Sequence, residues 1–129
     1  MKTKEELMVE MLFEAIEKNN REDAKGLIAM GVDVNAKNDN GITLLHGAAM
    51  LNRLTIADML IEAGADANAT DNTGRTPLKC ALNESTQMKT MLEKAMIGLK
   101  EYQEEKIKNQ IRSEIRKKIE NHKILAKKD

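Results

Sequence analysis

The sequence predicts an all-α protein made of stacked helix pairs, and three observations carry the prediction. A pattern recurs at an interval of 33 residues, the mark of a unit that cannot bury its apolar face alone and stacks on copies of itself. Aromatic residues are nearly absent, with one Phe, one Tyr and no Trp in 129 residues, so Leu, Ile, Ala and nine Met must fill the core. Such a core suits thin, closely packed helices. Finally, Ile56, Met59, Leu60 and Ala63 fall at i, i+3, i+4 and i+7, the stripe of an amphipathic helix.

The repeat can be read residue by residue. Gly41–His46 (GITLLH) recurs as Gly74–Lys79 (GRTPLK), and Gly31–Asn35 (GVDVN) recurs as Gly64–Asn68 (GADAN). Ala36 matches Ala69, and Ala48 matches Ala81. One period back, Phe13, Ala15 and Ile16 lie over His46, Ala48 and Ala49, while Ala24, Leu27 and Ile28 lie over Ala57, Leu60 and Ile61. At these residues the sequence resembles the ankyrin-repeat family, whose pattern runs G-x-T-P-L-H-x-A-A, then a helix ending L-L, then G-A-D-x-N-A. The likeness is close over 41–68 and 74–82 and weaker over 7–30, about two thirds of the chain. It implies an ankyrin-repeat solenoid, helix-turn-helix plus finger loops, here followed by a long C-terminal helix.

Local chemistry supports each element in turn. Thr3-x-x-Glu6 reads as a capping box opening a helix through Met8, Met11, Leu12, Ala15 and Ile16 to about Lys18, and residues 21–30 form its returning partner. Charged Lys4, Glu5, Glu10 and Glu17 suit the outer side of a terminal unit. Thr43 and Thr76 can cap the helices that follow them, and Pro77 sits in a first turn where its missing N–H costs nothing. Ala48 and Ala49 permit close helix approach, and Asn52 suits a left-handed residue after the first helix of the pair. Gly64 ends the second helix, and Asp66, Asn68, Asp71 and Asn72 carry turn chemistry for the finger that follows.

The third unit departs from the pattern. Lys79 stands where His46 stood, and Met88, Met91 and Leu92 match Ile56, Met59 and Leu60 only if one residue is deleted. Residues 86–126 hold no Pro or turn cluster, so one helix of about 60 Å could run through them. A break near Gly98 is the natural alternative. The expected organisation is a repeat domain over 1–97, divided into a capping unit (1–30), a full repeat (31–63) and a degenerate repeat (64–97), then a charged helix over 98–129.

Composition excludes several classes. No stretch approaches the run of about 18–20 apolar residues that spans a membrane. Acids at Glu5, Glu6 and Glu10 interrupt the N-terminus where a secretory signal would be apolar. Cys80 is the single cysteine, which rules out an intramolecular disulfide and points to a reducing compartment. The expected location is therefore cytoplasmic, with export into a host cell left open. Two His and one Cys give no zinc-ligand spacing, and no cofactor is expected. The glycines form neither G-x-G-x-x-G nor a Walker loop, and the pairs Glu5/Glu6, Glu22/Asp23 and Glu104/Glu105 are adjacent on helices and face apart. A non-catalytic protein is expected.

The candidate sites are therefore surfaces. By the resemblance, His46 is structural and bonds between neighbouring repeats, and Cys80 faces the concave surface as an inert thiol. The inner helices would present Glu14, Glu17 and Lys18, then Gly47, Met50 and Leu51, then Cys80, Asn83 and Glu84. The fingertips would be Lys37, Asn38, Asp39, Asn40 and Ile42, then Thr70, Asp71, Asn72, Thr73 and Arg75. Together these predict a site for a protein partner, centred on apolar Met50 and Leu51 with Gly47 clearing space, unless the tail folds back over it.

The tail offers a second surface. Met88, Leu92, Ala95, Leu99 and Tyr102 follow 4-3-4-3 spacing, a coiled-coil seam, and Ile107, Ile111, Ile115 and Ile119 follow at steps of four. Residues 106–128 hold nine Lys or Arg against two Glu, a net of +7, so the rest of this neutral chain is −7. Three uses compete: a cap on the last repeat, assembly with another copy through the seam and the Ile ladder, or binding to an anionic surface. Nucleic acid ranks lowest, because no aromatic interleaves the basic residues and Glu114 and Glu120 interrupt them.

Overall fold

The computed structural model describes residues 1–81 and 85–127. Its elements in order are α1 (Lys4–Lys18), α2 (Arg21–Ala29), α3 (Leu44–Met50), α4 (Leu54–Glu62), α5 (Pro77–Cys80), α6 (Thr86–Ile97) and α7 (Leu99–Ala126). They pair as α1/α2, α3/α4 and α5/α6, and the pairs stack in two layers, α1–α3–α5 and α2–α4–α6. Among the described residues no strand forms beyond an isolated antiparallel bridge, Lys37 to Thr43, at the root of the first finger.

Five of the seven described helices start at a short side chain that satisfies an open backbone N–H, and α4 and α7 start without one. Thr3, Thr43 and Thr76 accept from the amides of Glu6, His46 and Lys79, and Asn20 and Ser85 do the same for α2 and α6. The reciprocal half of a capping box is completed at α3, where the N3 side chain is His46 rather than Glu. Left-handed turns close α1 at Asn19 (φ 53°) and α3 at Asn52 (φ 56°).

The core joins the layers. Leu12, Ile16, Leu44, Leu45, Ile56, Leu60, Met88 and Leu92 are fully buried, with Ala15, Ala24, Ala48, Ala49 and Ala57 where helices cross closely. The alanines replace aromatic bulk with short interhelical distance. Met11, which the sequence places in the apolar stripe of α1, is instead 55% exposed, because the stripe that meets α2 and α3 runs through Met8, Leu12, Ala15 and Ile16.

The one-residue deletion in the third unit is visible as a shift in register. Met88 and Leu92 occupy the buried positions that Ile56 and Leu60 hold in the second unit, 32 residues earlier rather than 33. Asn35 Nδ2 donates to Gly64 O (3.2 Å) across 29 residues, and its counterpart Asn68 Nδ2 donates to Met96 O (2.9 Å) across 28. The inner helix α5 is correspondingly short.

No single helix runs from 86 to 126. It breaks at Gly98, whose φ of 147° and ψ of 158° lie in a region open essentially to glycine alone. The break turns α7 back onto α6 and lets its first turns reach α4. Tyr102 is 4% exposed and its hydroxyl donates to Asp58, while Lys106 Nζ bonds Asp58 (3.0 Å) and Glu62 (2.9 Å). Lys106 also sits 5.6 Å from the centre of the Tyr102 ring, and Gln103 donates to Glu62 at 3.1 Å. α7 thus caps the stack at its beginning, and from Lys106 onward every described residue is exposed.

Candidate functional site

The two fingers are built by the same device and bonded to each other. In the first, Asn38 Oδ1 accepts from the amides of Asn40 (2.9 Å) and Ile42 (3.0 Å), while Asn38 N donates to Ile42 O (3.0 Å). In the second, Asp71 Oδ1 accepts from Thr73 N (2.9 Å), Thr73 Oγ1 (2.7 Å) and Arg75 N (3.0 Å), and Oδ2 takes Arg75 Nε at 3.0 Å. The fingers are joined by Asn72 N to Asn40 O (3.0 Å), Asn72 Nδ2 to Asp39 O (2.9 Å) and Lys37 Nζ to Thr70 O (3.0 Å). Gly41 is required where they meet. Its φ is +75°, and a Cβ there would stand 2.5 Å from Asn72 Oδ1.

His46 locks the inner helix to the second finger. Its Nδ1 accepts from the Thr43 amide (3.2 Å), so the ring proton belongs on Nε2, which donates to Arg75 O at 2.8 Å. Buried His46, Asp71 and Cys80 bring potential ligand atoms within 4.8 Å of one another. Their donor chemistry does not fit a metal or a nucleophilic centre. Both imidazole nitrogens are committed, and both Asp71 oxygens are bonded. Burial pushes the Cys80 thiol above its ordinary pKa, away from the reactive thiolate. The Arg75 amide and the Thr73 hydroxyl hold the Asp71 carboxyl well below the usual carboxylate range.

The anticipated surface residues divide accordingly. Met50 and Leu51 are 42% and 43% exposed at the end of an otherwise buried helix. Asn38, Asn40, Thr73 and Arg75 are exposed, as are Glu14, Glu17 and Lys18, whereas Gly47 and Ile42 are half-buried. Two placements are corrected. Cys80 is 2% exposed and does not face the groove, because α5 turns it toward His46 and Asp71. Asp71 is 7% exposed, since its carboxylate is the scaffold of the finger rather than its tip. Asn83 and Glu84 lie outside the described residues. A Cβ at Gly47 would meet Ile16 of α1 at 3.8 Å, an ordinary contact, so the position faces the preceding unit without requiring glycine.

The tail calls for a similar correction. Met88, Leu92 and Tyr102 are buried within this chain, so the seam from Met88 to Tyr102 meets α4 and the neighbouring repeat rather than another molecule. Leu99 is 39% exposed, and Ile107, Ile111, Ile115 and Ile119 are 49–58% exposed. The tail does not cover Met50 and Leu51. Where α7 crosses α4 and α6 it leaves a cleft of about 590 Å³ lined in part by Leu54, Asp58, Met91, Lys94, Tyr102 and Lys106.

Some contacts had no signal in the sequence. Arg53 Nε and Nη2 donate to Ile16 O (2.8 Å) and Glu17 O (2.7 Å), satisfying carbonyls at the end of α1. Nothing in the pattern marks Arg53 beyond its place after Asn52. Asp58 and Glu62 read as solvated acids of α4 until α7 supplies Tyr102 and Lys106.

Helix pairs stacked by asparagine links, with paired fingers along one edge, define a repeat solenoid. A family model for ankyrin repeats in three copies matches residues 12–100, more than half of the chain, and the protein belongs to the ankyrin-repeat family. Its relatives include the neurogenic locus Notch protein of Drosophila melanogaster, 53% identical over 57 residues, covering 43% of this chain and 2% of that one. An ankyrin repeat protein of fowlpox virus is 36% identical over 85 residues, covering 64% of this chain and 20% of its own length. Human neurogenic locus notch homolog protein 2 is 44% identical over 62 residues, 47% of this chain and 2% of that one. The chain thus spans a fifth or less of the length of these relatives. No helix among the described residues is long and apolar enough to cross a membrane.

Proposed function

We propose that this chain is a non-catalytic protein-interaction module that takes its partner on the face formed by the end of α3 and the two fingers. Ankyrin repeats generally mediate protein–protein interaction, and the family is typically non-catalytic. The observation that carries the reading is the exposed pair Met50–Leu51. The remainder of α3 is buried or half-buried, so an uncovered apolar pair at its last turn has no internal role. The fingers, which lead into the N-terminal ends of α3 and α5, are held in place by hydrogen bonds before any partner arrives, which lowers the ordering cost of binding. On the neighbouring surface Glu14 pairs with Lys18 at 2.6 Å, so exposed Glu17 supplies the one net negative charge there, suited to an apolar side chain beside a basic residue.

The test is a partner selected against the full chain and then challenged with Met50→Glu. Capture is expected to fall at least about tenfold, the effect of losing one central contact, while far-UV circular dichroism stays the same. Undiminished capture by a folded Met50→Glu variant would remove this face from consideration.

A further inference from the structure

Besides Met50–Leu51, two further apolar faces are exposed among the described residues, and the edges beside them differ in charge. The first is on α7. At about 100° per residue, Ile111 lies half a turn around the helix from Tyr102, with Ile107 and Ile115 on either side. The ladder therefore points away from the face that α7 lays on α4 and α6. Its four isoleucines are 49–58% exposed, and Arg112, Arg116 and Lys123 run along one edge of the stripe. The second is on α1, at the opposite end of the stack. Leu7 and Met11, one turn apart, are 46% and 55% exposed, and Glu6, Glu10, Glu14 and Glu17 line one edge beside them, where Glu10 pairs with Lys2 and Glu14 with Lys18 (2.6 Å) within the chain.

We propose that the isoleucine face of α7 docks head to tail on the α1 face of a second copy of this chain. The ladder cannot be an extension of the internal seam, because the two occupy different sides of α7. Charge then selects among copies. Residues 106–128 carry a net of +7 and the rest of the chain −7. Pairing α7 with α7 would press two +7 segments together, with Lys108 and Lys118 inside the stripe. Pairing α7 with α1 sets Arg116 and Lys123 against Glu6 and Glu17, while Arg112 exchanges Glu105, and Glu10 and Glu14 exchange Lys2 and Lys18, for partners across the contact. Such a contact uses different patches on the two copies, so it propagates into chains or rings rather than closing as a simple dimer. It borders the Met50–Leu51 face through Glu14 and Glu17 but does not use Met50 or Leu51, so its failure leaves the function proposed above standing.

The experiment uses the full chain and two full-length variants in light scattering after size exclusion. Ile111→Glu/Ile115→Glu disables the ladder, Leu7→Lys/Met11→Lys disables the α1 face, and circular dichroism checks that both are folded. All four positions are exposed, so neither variant opens the core. The wild type is expected to self-associate, each variant alone to associate at least about tenfold more weakly, and an equimolar mixture to form a one-to-one heterodimer. Added salt should weaken the association. If the Leu7→Lys/Met11→Lys variant still assembles by itself, or salt strengthens assembly, α7 pairs with α7 and the proposal fails. A wild type that stays monomeric up to about 1 mM at low salt overturns it outright.

Discussion

Tyr102 tests whether the start of α7 is a structural cap. Replacing it with Phe keeps the ring over Lys106 and removes the hydroxyl that donates to Asp58. A hydrogen bond to a charged acceptor contributes about 1.5–3 kcal/mol when its loss strands a buried partner. Asp58 is not stranded: its side chain is 34% exposed and it keeps Lys106. The cost should therefore sit at or below the lower limit, about 1 kcal/mol, or about 4 °C in a chain of this size. Tyr102→Ala removes the ring as well, and truncating a buried aromatic costs about 3–5 kcal/mol. The adjoining cleft allows some relaxation, so about 3 kcal/mol is expected. Ile111→Ala, on the exposed part of the same helix, should change stability by no more than about 0.5 kcal/mol.

Urea and thermal unfolding followed by circular dichroism would measure all three variants. A Tyr102→Ala protein as stable as the wild type would refute the cap, whatever the other variants do. The pH dependence gives a second reading of the same contact. Burial, and then the Asp58 hydrogen bond, hold the Tyr102 hydroxyl above its ordinary pKa. Its stabilisation is fully present below the unfolded value, about 10, and is lost as pH rises past it. The advantage of wild type over Tyr102→Phe should therefore shrink from about pH 10 upward; a gap that widens there would contradict the bond.

Other substitutions separate the remaining contacts. Gly41→Ala should cost about 2 kcal/mol against about 1 for Gly74→Ala, because both have positive φ but only the first meets a neighbour, Asn72; equal melting shifts would show that the fingers do not touch tightly. Arg53→Met should lose about 1–2 kcal/mol by removing the side-chain donor from the Glu17 carbonyl and from the Ile16 carbonyl, which keeps only the Asn19 amide, and Lys at that position should recover less than half, since it lacks the fork. Asp71→Asn should destabilise at neutral pH. Because the Asp71 pKa is depressed by its amide and hydroxyl donors, that advantage is present above about pH 4 and disappears as pH falls below it; acid titration of both proteins would show the gap closing.

The two-layer stack was legible because its signals are local and repeated. Thr43 and Thr76 cap where the pattern places them, Asn52 takes the left-handed turn, and His46 bridges to the next finger. The one-residue deletion between the second and third units could also be read, since Met88 and Leu92 keep the spacing of Ile56 and Leu60. What could not be read depends on which element faces which. Asp71 resembles any fingertip acid until its oxygens are counted against Thr73 and Arg75. Cys80 occupies an outward position in the repeat pattern, yet it is buried beside His46 and Asp71 of the preceding helix and finger. Arg53 acts on carbonyls 36 and 37 residues away, a distance no periodicity encodes.

The tail shows most clearly why periodicity alone stops short. A 4-3-4-3 seam states that a helix face is apolar, not whether the surface it meets belongs to the same molecule. Gly98 decides this by turning α7 back, so Met88 and Leu92 lie beneath the stack while Tyr102 locks onto Asp58. Lys106 marks the end of that internal contact: burial disfavours its charge, but hydrogen bonds to Glu62 and Asp58 outweigh the penalty and raise its pKa. Beyond it the apolar positions move to the other side of the helix, and charged residues take over the face that was packed. A helix meant only as a cap could have ended within a turn of Lys106. The 20 further residues to Ala126, about 30 Å of helix, are held by the helix's own hydrogen bonds and by Arg112 on Glu105 and Asn109, with every described side chain exposed. The contact proposed above for the isoleucine ladder would cover the apolar side of this segment, which the stack leaves exposed.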